Sequence, residues 1–167
     1  SGLWCCNLGY SQTLIKDAIY AQLQALPYYN NFFQCANEPS VELARALVEI
    51  TPAQFNHVFF TNSGSEANDT NIRLVHRYYN LLGKPKKTLI ISRKNAYHGS
   101  TIAATSLGGM GAMRKQTQGL DYVHHINQPY WFAEGADELP DEYGIRVARE
   151  LEQKIDELGE DRVAAFI

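Results

Sequence analysis

The chain has 167 residues, of which 45% are hydrophobic, and a formal net charge of −3 with both signs intermixed. This composition is typical of a globular domain with a real core, and it argues against nucleic-acid or membrane partners. The three cysteines include an adjacent pair, and no apolar stretch is long enough to cross a bilayer, so we expect a cytoplasmic location without a disulfide framework.

The first third of the chain predicts two helices separated by an aromatic loop. Apolar residues at three- and four-residue steps predict a helix over residues 14–26, which Pro27 ends. The loop at residues 28–33 carries two tyrosines and two phenylalanines, which can pack into a core or line a pocket. A second helix is expected to begin with Ser40 as its N-cap and to end before Pro52.

The most informative stretch is a short apolar run followed by small polar residues. Residues 57–61 are typical of a buried strand, and Ser63 and Glu66 then have the spacing of a capping box for a helix over residues 65–82. The apolar face of that helix includes Leu74 and Tyr78. Free backbone N–H groups and the positive end of the helix dipole would point into one crevice, where Gly64 allows a ligand to approach the backbone. This turn predicts an anion cradle, most suitably for a phosphate, and an ordinary capped helix is the alternative.

A second strand makes the phosphate hypothesis stronger. The β-branched run at residues 88–92 predicts a strand, so that strand, helix and strand would form a right-handed βαβ unit with residues 57–61. Ligands of open parallel sheets lie at the carboxyl ends of the strands. The polar, glycine-containing segment 95–101 follows the second strand, and we therefore expect it to share a crevice with the first turn.

The remaining chain continues the alternation of helices and strands. Gly108–Gly111 is interpreted as a flexible joint, and the chain stops in an apolar run that is typical of a buried strand. Because frayed termini are usually polar, we expect these residues to be a piece of a longer protein, with a complete small domain as the alternative. The predicted elements are a helix at 100–107, a strand at 122–125, a helix at 141–158 and a strand at 163–167.

Tyr97 and His98 are the best candidates for chemistry at the end of the second strand. A tyrosine there can offer its ring face to a flat ligand, and a histidine can act near neutral pH. A strand-end aromatic beside a turn histidine is the alternative. No Cys/His spacing resembles a metal site, and a serine-nucleophile elbow is absent around Ser63 and Ser65. We expect three further polar residues to serve the start of the helix rather than catalysis: Glu66, Asn68 and Asp69.

Five motifs together resemble a known family. FTNSGSEAND at residues 60–69 and YHGST at 97–101 look like the class III pyridoxal-phosphate aminotransferases, the ω-transaminase family. GLWC at 2–5, LPYYNNFF at 26–33 and SLGG at 106–109 are similar to the amine:pyruvate branch of that family. The resemblance covers essentially the whole chain in order.

The resemblance implies an α/β fold, the pyridoxal-phosphate transferase fold type I, with a mainly parallel seven-stranded sheet in the large domain. Residues 1–40 would border the small domain and the substrate pocket, and residues 41–167 would form the N-terminal part of the large, cofactor-binding domain. It also implies a homodimer with active sites at the subunit interface.

Site residues follow from the resemblance by position. Ser63, Gly64 and Ser65 would bind the phosphate of pyridoxal 5′-phosphate, Tyr97 would stack on its pyridine ring, and His98 would lie beside it. The aromatics expected to line the substrate pocket are Trp4 and Phe32. No catalytic residue is expected within this chain, because the family's Schiff-base lysine would lie beyond Ile167.

The implied activity moves an amino group from a primary amine or diamine to pyruvate or another oxo acid. Residues 1–167 alone are expected to lack this activity. Two alternatives stay open on the sequence: an aminomutase or decarboxylase of the same fold, and a non-catalytic phosphate-binding α/β module.

Overall fold

The computed structural model describes residues 2–167, which form two compact units, Ser1–Phe59 and Phe60–Ile167. The two units are described separately. Residues within each unit contact mainly other residues of the same unit. The expected division near residue 40, between a segment that borders the substrate pocket and the cofactor-binding domain, stays a prediction.

The first unit is helical. A short 3-10 turn at Gly2–Trp4 precedes α1, Thr13–Ala25, and α2, Glu38–Ile50. The expected α1 is confirmed within one residue at each end. The expected start of α2 at Ser40 is wrong: Asn37 is the N-cap, and its side chain accepts a hydrogen bond of 3.1 Å from the Ser40 N–H group. Asparagine caps a helix as well as serine does. With Asn37 as the cap, Pro39 lies in the first turn, where proline is tolerated.

The second unit is a three-layer α/β arrangement. Its three strands are all parallel, in the order β2-β1-β3, so the strand that comes first in sequence lies in the middle. Its elements are α3 Gly64–Leu81, β1 Leu89–Arg93, α4 Ile102–Leu107, α5 Gly111–Arg114, β2 Val123–Ile126, α6 Trp131–Glu134, α7 Pro140–Leu158 and β3 Val163–Phe166.

Helices cover both faces of this sheet. Successive residues of β1 point to opposite faces, and both faces are buried, which explains the uninterrupted apolar run of this strand. One face packs against α3 and α4, and the other packs against α7. The two apolar clusters comprise Ile72, Ile90, Leu107 and Val123 on the first face, and Leu89, Ile91, Ile126 and Val163 on the second.

The strand expected at residues 57–61 does not form. This segment has no regular secondary structure, its backbone makes no hydrogen bond to a strand within the described residues, and Phe59 and Phe60 are exposed. An apolar run becomes a strand only where a neighbouring strand offers paired N–H and C=O groups. The βαβ unit expected over residues 57–92 is therefore wrong, and the parallel pairs are instead β1 with β2 and β1 with β3.

The packed face of α3 also differs from the expected one. Leu74 and Tyr78, which the apolar pattern placed toward the core, are 57% and 58% exposed, whereas Ile72 is buried. The face that packs is largely polar, and its side chains are hydrogen-bonded to neighbouring segments. A polar group enters an interior when a partner is available, so hydrophobicity alone selected the wrong side of this helix. The residues on the packed face are Ser65, Asn68, Asp69, Ile72 and His76.

No helix within residues 2–167 is long and apolar enough to cross a membrane. The three cysteines, Cys5, Cys6 and Cys35, are all unpaired.

Candidate functional site

The N-terminus of α3 is built as the sequence predicts. The Ser63 side chain accepts a hydrogen bond of 3.2 Å from the Glu66 N–H group, and the Glu66 carboxylate in turn accepts one of 2.9 Å from the Asn62 N–H group. The reciprocal contact is shifted by one residue from an ordinary capping box, whose glutamate would bind the N–H group of the cap itself. The expected N-cap is confirmed.

Two backbone N–H groups stay available at this terminus. Neither Gly64 nor Ser65 donates its N–H group to another residue in the described part of the chain. Gly64 is exposed, and a Cβ atom built on it would meet nothing within 4 Å. The turn therefore presents two donors and the positive end of an 18-residue helix on an open side, which suits a dianionic phosphate.

The loop that follows β1 is joined directly to this turn. The Ser65 hydroxyl oxygen accepts a hydrogen bond of 3.0 Å from the Ser100 N–H group. Gly99 has φ +131° and lies against Ser65 and Ala104, a conformation and a proximity that favour glycine. The structure thus brings together the two segments that the sequence placed at one edge of the sheet.

Two further side chains of α3 reach the same loop. The Asn68 side-chain amide donates to the His98 carbonyl oxygen at 2.7 Å, and the Asp69 carboxylate accepts from the Thr101 hydroxyl at 2.8 Å. Thr101 in turn caps α4 through the Ala104 N–H group. The expectation that Asn68 and Asp69 serve the start of α3 is wrong, because both side chains join α3 to the loop after β1; that they take no part in catalysis stays a prediction.

The His98 side chain contacts the central strand, β1. Its Nε2 atom lies 3.2 Å from the hydroxyl oxygen of Ser92, which is fully buried on β1. Burial lowers the pKa of His98, and the nearby positive charge of Arg93 lowers it further. The imidazole is therefore neutral near pH 7, and its Nε2 atom can either donate to the serine or accept from it.

Tyr97 offers a free ring at this edge. Its side chain is 65% exposed, and its hydroxyl makes no hydrogen bond within residues 2–167. An exposed aromatic face beside an anion-binding turn suits a flat ligand that carries a phosphate.

The two predicted substrate-pocket aromatics belong to the first unit. Trp4 is 92% exposed and has φ +70°, and Phe32 is 58% exposed. The loop around Phe32 is anchored by Asn31, whose side-chain oxygen accepts hydrogen bonds from Asn37 and Ser40. Their contact with a substrate stays a prediction.

A cavity of about 530 Å³ lies at the other end of the sheet, between the loops that precede β1 and β3. It is lined by Gly83, Lys84, Pro85, Lys86, Lys87, Glu160 and Asp161. Because the N-terminus of α3 holds the free N–H donors, and the loop at the carboxyl end of β1 holds the aromatic ring, we assign the functional site there and not to this cavity. No group of three or more metal-ligating side chains occurs within residues 2–167.

The fold and this edge of the sheet are those of the class III aminotransferases. The family matches over residues 1–167, and the chain belongs to it. A putrescine–pyruvate aminotransferase of Pseudomonas aeruginosa is 51% identical over 168 residues, and a vanillin aminotransferase of Capsicum chinense is 43% identical over 170. Each match covers 100% of this chain and 37% of the relative, so the chain spans just over a third of the length of these curated relatives.

Solved structures support the same assignment. The ω-transaminase of Pseudomonas jessenii in complex with PMP has a TM-score of 0.94 and 41% identity, over 99% of this chain and 37% of that one. A PLP-bound aminotransferase mutant from Vibrio fluvialis has a TM-score of 0.92 and 35% identity, over the same shares. The family and the fold class expected from the five motifs are confirmed.

Replacing Ser63 by alanine should loosen the first turn of α3 by about 1 kcal/mol, because the Glu66 N–H group loses its acceptor. Hydrogen exchange of the first-turn amides in the full-length protein measures this directly. Ser63→Asp is the matched variant: it keeps an acceptor at the cap but adds a negative charge. It should therefore retain slow exchange while it weakens phosphate binding. Equal exchange in the alanine variant and the unsubstituted protein would contradict the assignment.

Three half-buried histidines should make stability depend on pH. Burial lowers the pKa values of His98, His124 and His125, and nearby positive charges lower them further: Arg93 at His98, Lys154 at His124 and Arg114 at His125. The Glu157 carboxylate opposes this shift at His124, and hydrogen bonds to backbone carbonyls oppose it at His125. The unfolded chain then binds protons at a higher pH than the folded one. Stability should therefore fall as the pH drops below about 6.5 and stay level above it.

Thermal unfolding of the full-length protein between about pH 5 and pH 8 tests this dependence. His125→Gln keeps a side-chain amide donor at about the reach of Nε2 for the Leu107 and Gly108 carbonyls but cannot titrate, so it should make the acid side of the curve less steep. His57→Gln, in the first unit, is the control for removing one histidine. An unchanged slope in His125→Gln would show that this histidine is not responsible.

Proposed function

We propose that the whole protein is a pyridoxal-phosphate-dependent aminotransferase that moves an amino group from a primary amine or diamine to pyruvate or another oxo acid. The observation that carries this proposal is the hydrogen bond from the Ser100 N–H group to the Ser65 hydroxyl. It joins an open helix N-terminus to the loop of an exposed tyrosine, so that one flat phosphate ester can contact both. The names of the relatives favour amino transfer over an aminomutase or a decarboxylase.

The residues present fit the cofactor. The N–H groups of Gly64 and Ser65 would bind its phosphate, and the Ser65 hydroxyl, whose oxygen already accepts from Ser100, retains its own proton to donate. Ser63 would shape the turn by capping α3. Tyr97 would cover one face of the ring, with the neutral His98 beside it.

When bound, pyridoxal phosphate supplies the electron sink that amino transfer requires. The described chain supplies binding and orientation. Lys94 is the lysine nearest to Tyr97 in sequence, and its amino group is engaged 2.7 Å from the Asn127 side-chain oxygen. We therefore assign the covalent attachment of the cofactor to a lysine outside residues 1–167.

The substrate side of the proposal rests on the first unit and on a second subunit. Trp4 and Phe32 would line the pocket for the amine, and their exposed rings favour apolar or extended substrates. We propose a homodimer, since Leu74 and Tyr78 leave an apolar strip of α3 uncovered. The three unpaired cysteines support a reducing, cytoplasmic location.

The proposal is tested on the full-length protein with putrescine as donor and pyruvate as acceptor. We expect a visible absorption band from bound pyridoxal phosphate, covalent retention of the cofactor after borohydride reduction, and formation of alanine. Residues 1–167 alone should form no alanine. A full-length protein that binds no pyridoxal phosphate and retains none after reduction would overturn the proposal.

A further inference from the structure

We propose that Asn68 is a positioning residue that fixes the Tyr97–His98 backbone against α3, and thereby sets the Tyr97 ring for the cofactor. This inference rests on the proposed function, since it concerns the ring end of the same site. Asn68 lies on α3, and its side chain hydrogen-bonds neither to the phosphate turn nor to Tyr97.

The contact itself is specific in direction. The Asn68 side-chain nitrogen donates to the His98 carbonyl oxygen over 2.7 Å, between residues thirty positions apart in sequence. A carbonyl oxygen can only accept, so the amide must present its NH₂ group and not its oxygen. Asn68 is half-buried, which limits competition from water.

Asn68 makes the contact that holds the backbone on the C-terminal side of Tyr97; on the other side, the Ala96 carbonyl oxygen accepts a hydrogen bond of 2.9 Å from the Gly109 N–H group. Ser92 contacts the imidazole ring of His98 and not its backbone, and Ser65 contacts the N–H group of Ser100, two residues further along. The Tyr97 side chain has no hydrogen-bond partner in the described part of the chain and is mostly exposed. The direction of its ring therefore depends on the backbone next to it, and the His98 carbonyl is the nearest point at which α3 holds that backbone.

The position of Asn68 along α3 separates ring placement from phosphate binding. It lies four residues, about one helical turn, after Gly64, and so behind the free N–H groups of the first turn. Loss of its hydrogen bond should disturb the ring end of the site and leave the phosphate turn intact. A residue that only stabilised α3 would instead lower thermal stability and leave the environment of the ring unchanged.

Two substitutions and a matched control test this role in the full-length protein. Asn68→Asp keeps the size of the side chain but directs a carboxylate oxygen at the His98 carbonyl, and Asn68→Ala removes the contact without repulsion. Asn80→Ala is the control: Asn80 is exposed on the same helix and lies away from the strip of Leu74 and Tyr78 that is proposed to meet a second subunit. The measurements are the dissociation constant for pyridoxal phosphate and the absorption maximum of the bound cofactor, together with the thermal midpoint of the cofactor-free protein.

We expect Asn68→Asp to weaken pyridoxal-phosphate binding by about tenfold or more and to shift the absorption maximum, with a smaller change in the same direction for Asn68→Ala. Asn80→Ala should match the unsubstituted protein. If Asn68→Asp does not fold, Asn68→Ala decides by the same two readouts. Affinity and absorption maximum equal to those of Asn80→Ala, with only the thermal midpoint lowered, would overturn the positioning role. An unsubstituted protein that binds no pyridoxal phosphate would overturn the proposed function itself.

Discussion

Replacing Gly99 by alanine is expected to weaken pyridoxal-phosphate binding by the full-length protein by about 100-fold. The residue has φ +131°, a region that side chains with a Cβ atom avoid at a cost of about 1–3 kcal/mol. A Cβ atom would also lie 2.9 Å from the Cβ atoms of Ser65 and Ala104, closer than such atoms approach. Rotation of the Ser65 hydroxyl cannot relieve these two contacts, so the loop must move away from α3.

The movement would break the hydrogen bond between Ser100 and Ser65 and separate the phosphate turn from Tyr97. Titration of the cofactor-free protein with pyridoxal phosphate measures the loss. Gly144→Ala is the matched control, because it lies inside α7, and an added Cβ atom there would meet nothing within 4 Å. That substitution should stabilise the protein by about 0.5–1 kcal/mol and leave cofactor binding unchanged. Equal affinities in the two variants would contradict the proposed constraint at Gly99.

Helix ends were predictable because a few consecutive residues decide them. The Ser63 cap is at the expected position. Gly83, at φ +69°, follows the end of α3, and Gly159, at φ +92°, follows the end of α7. Each depends on a local hydrogen bond or on a backbone conformation that glycine alone adopts easily. The same reasoning failed at α2 by three residues, because Asn37 and Ser40 are both suitable caps and spacing does not rank them.

Strand pairing and helix packing were less predictable because they depend on residues that are distant in sequence. The apolar run at 57–61 has the composition of a strand, but no described strand pairs with it. On α3, the apolar pattern selected the side with Leu74 and Tyr78, whereas the polar side packs. The polar side can be buried because Ser100, His98 and Thr101 provide hydrogen-bond partners for it. The sequence of α3 alone does not reveal where these partners lie.

The candidate site was likewise predictable only in part. The motifs placed the turn at Ser63–Ser65 and the aromatic at Tyr97 on one edge of the sheet, and the structure brings the two segments into contact. Asn68 and Ser92 were missed as parts of this site, since an asparagine on a helix and a serine in a strand are ordinary in those places. One signal was available: polar residues at 65, 68 and 69, followed by Ile72, repeat at the spacing of a helix face.

Gly109 tests whether the glycine run after α4 is flexible, as its composition suggested, or fixed by contact. Its N–H group donates to the Ala96 carbonyl oxygen at 2.9 Å, and the backbone lies directly on the turn between β1 and Tyr97. A Cβ atom at Gly109 would lie 2.5 Å from the Lys94 Cα atom and 2.6 Å from the Asn95 nitrogen. Both are backbone atoms, so no side-chain rotation can make room.

Gly109→Ala should therefore destabilise the full-length protein by about 3 kcal/mol, at the upper end of the cost of overpacking, and should lower its thermal midpoint by several degrees. Gly111→Ala, two residues later in the same run, is the control: it is exposed, its φ is not positive, and an added Cβ atom would meet nothing within 4 Å. If the run were a flexible joint, the two variants would behave alike. A large difference between them would instead identify the Gly109 backbone as a fixed support for the turn that leads to Tyr97.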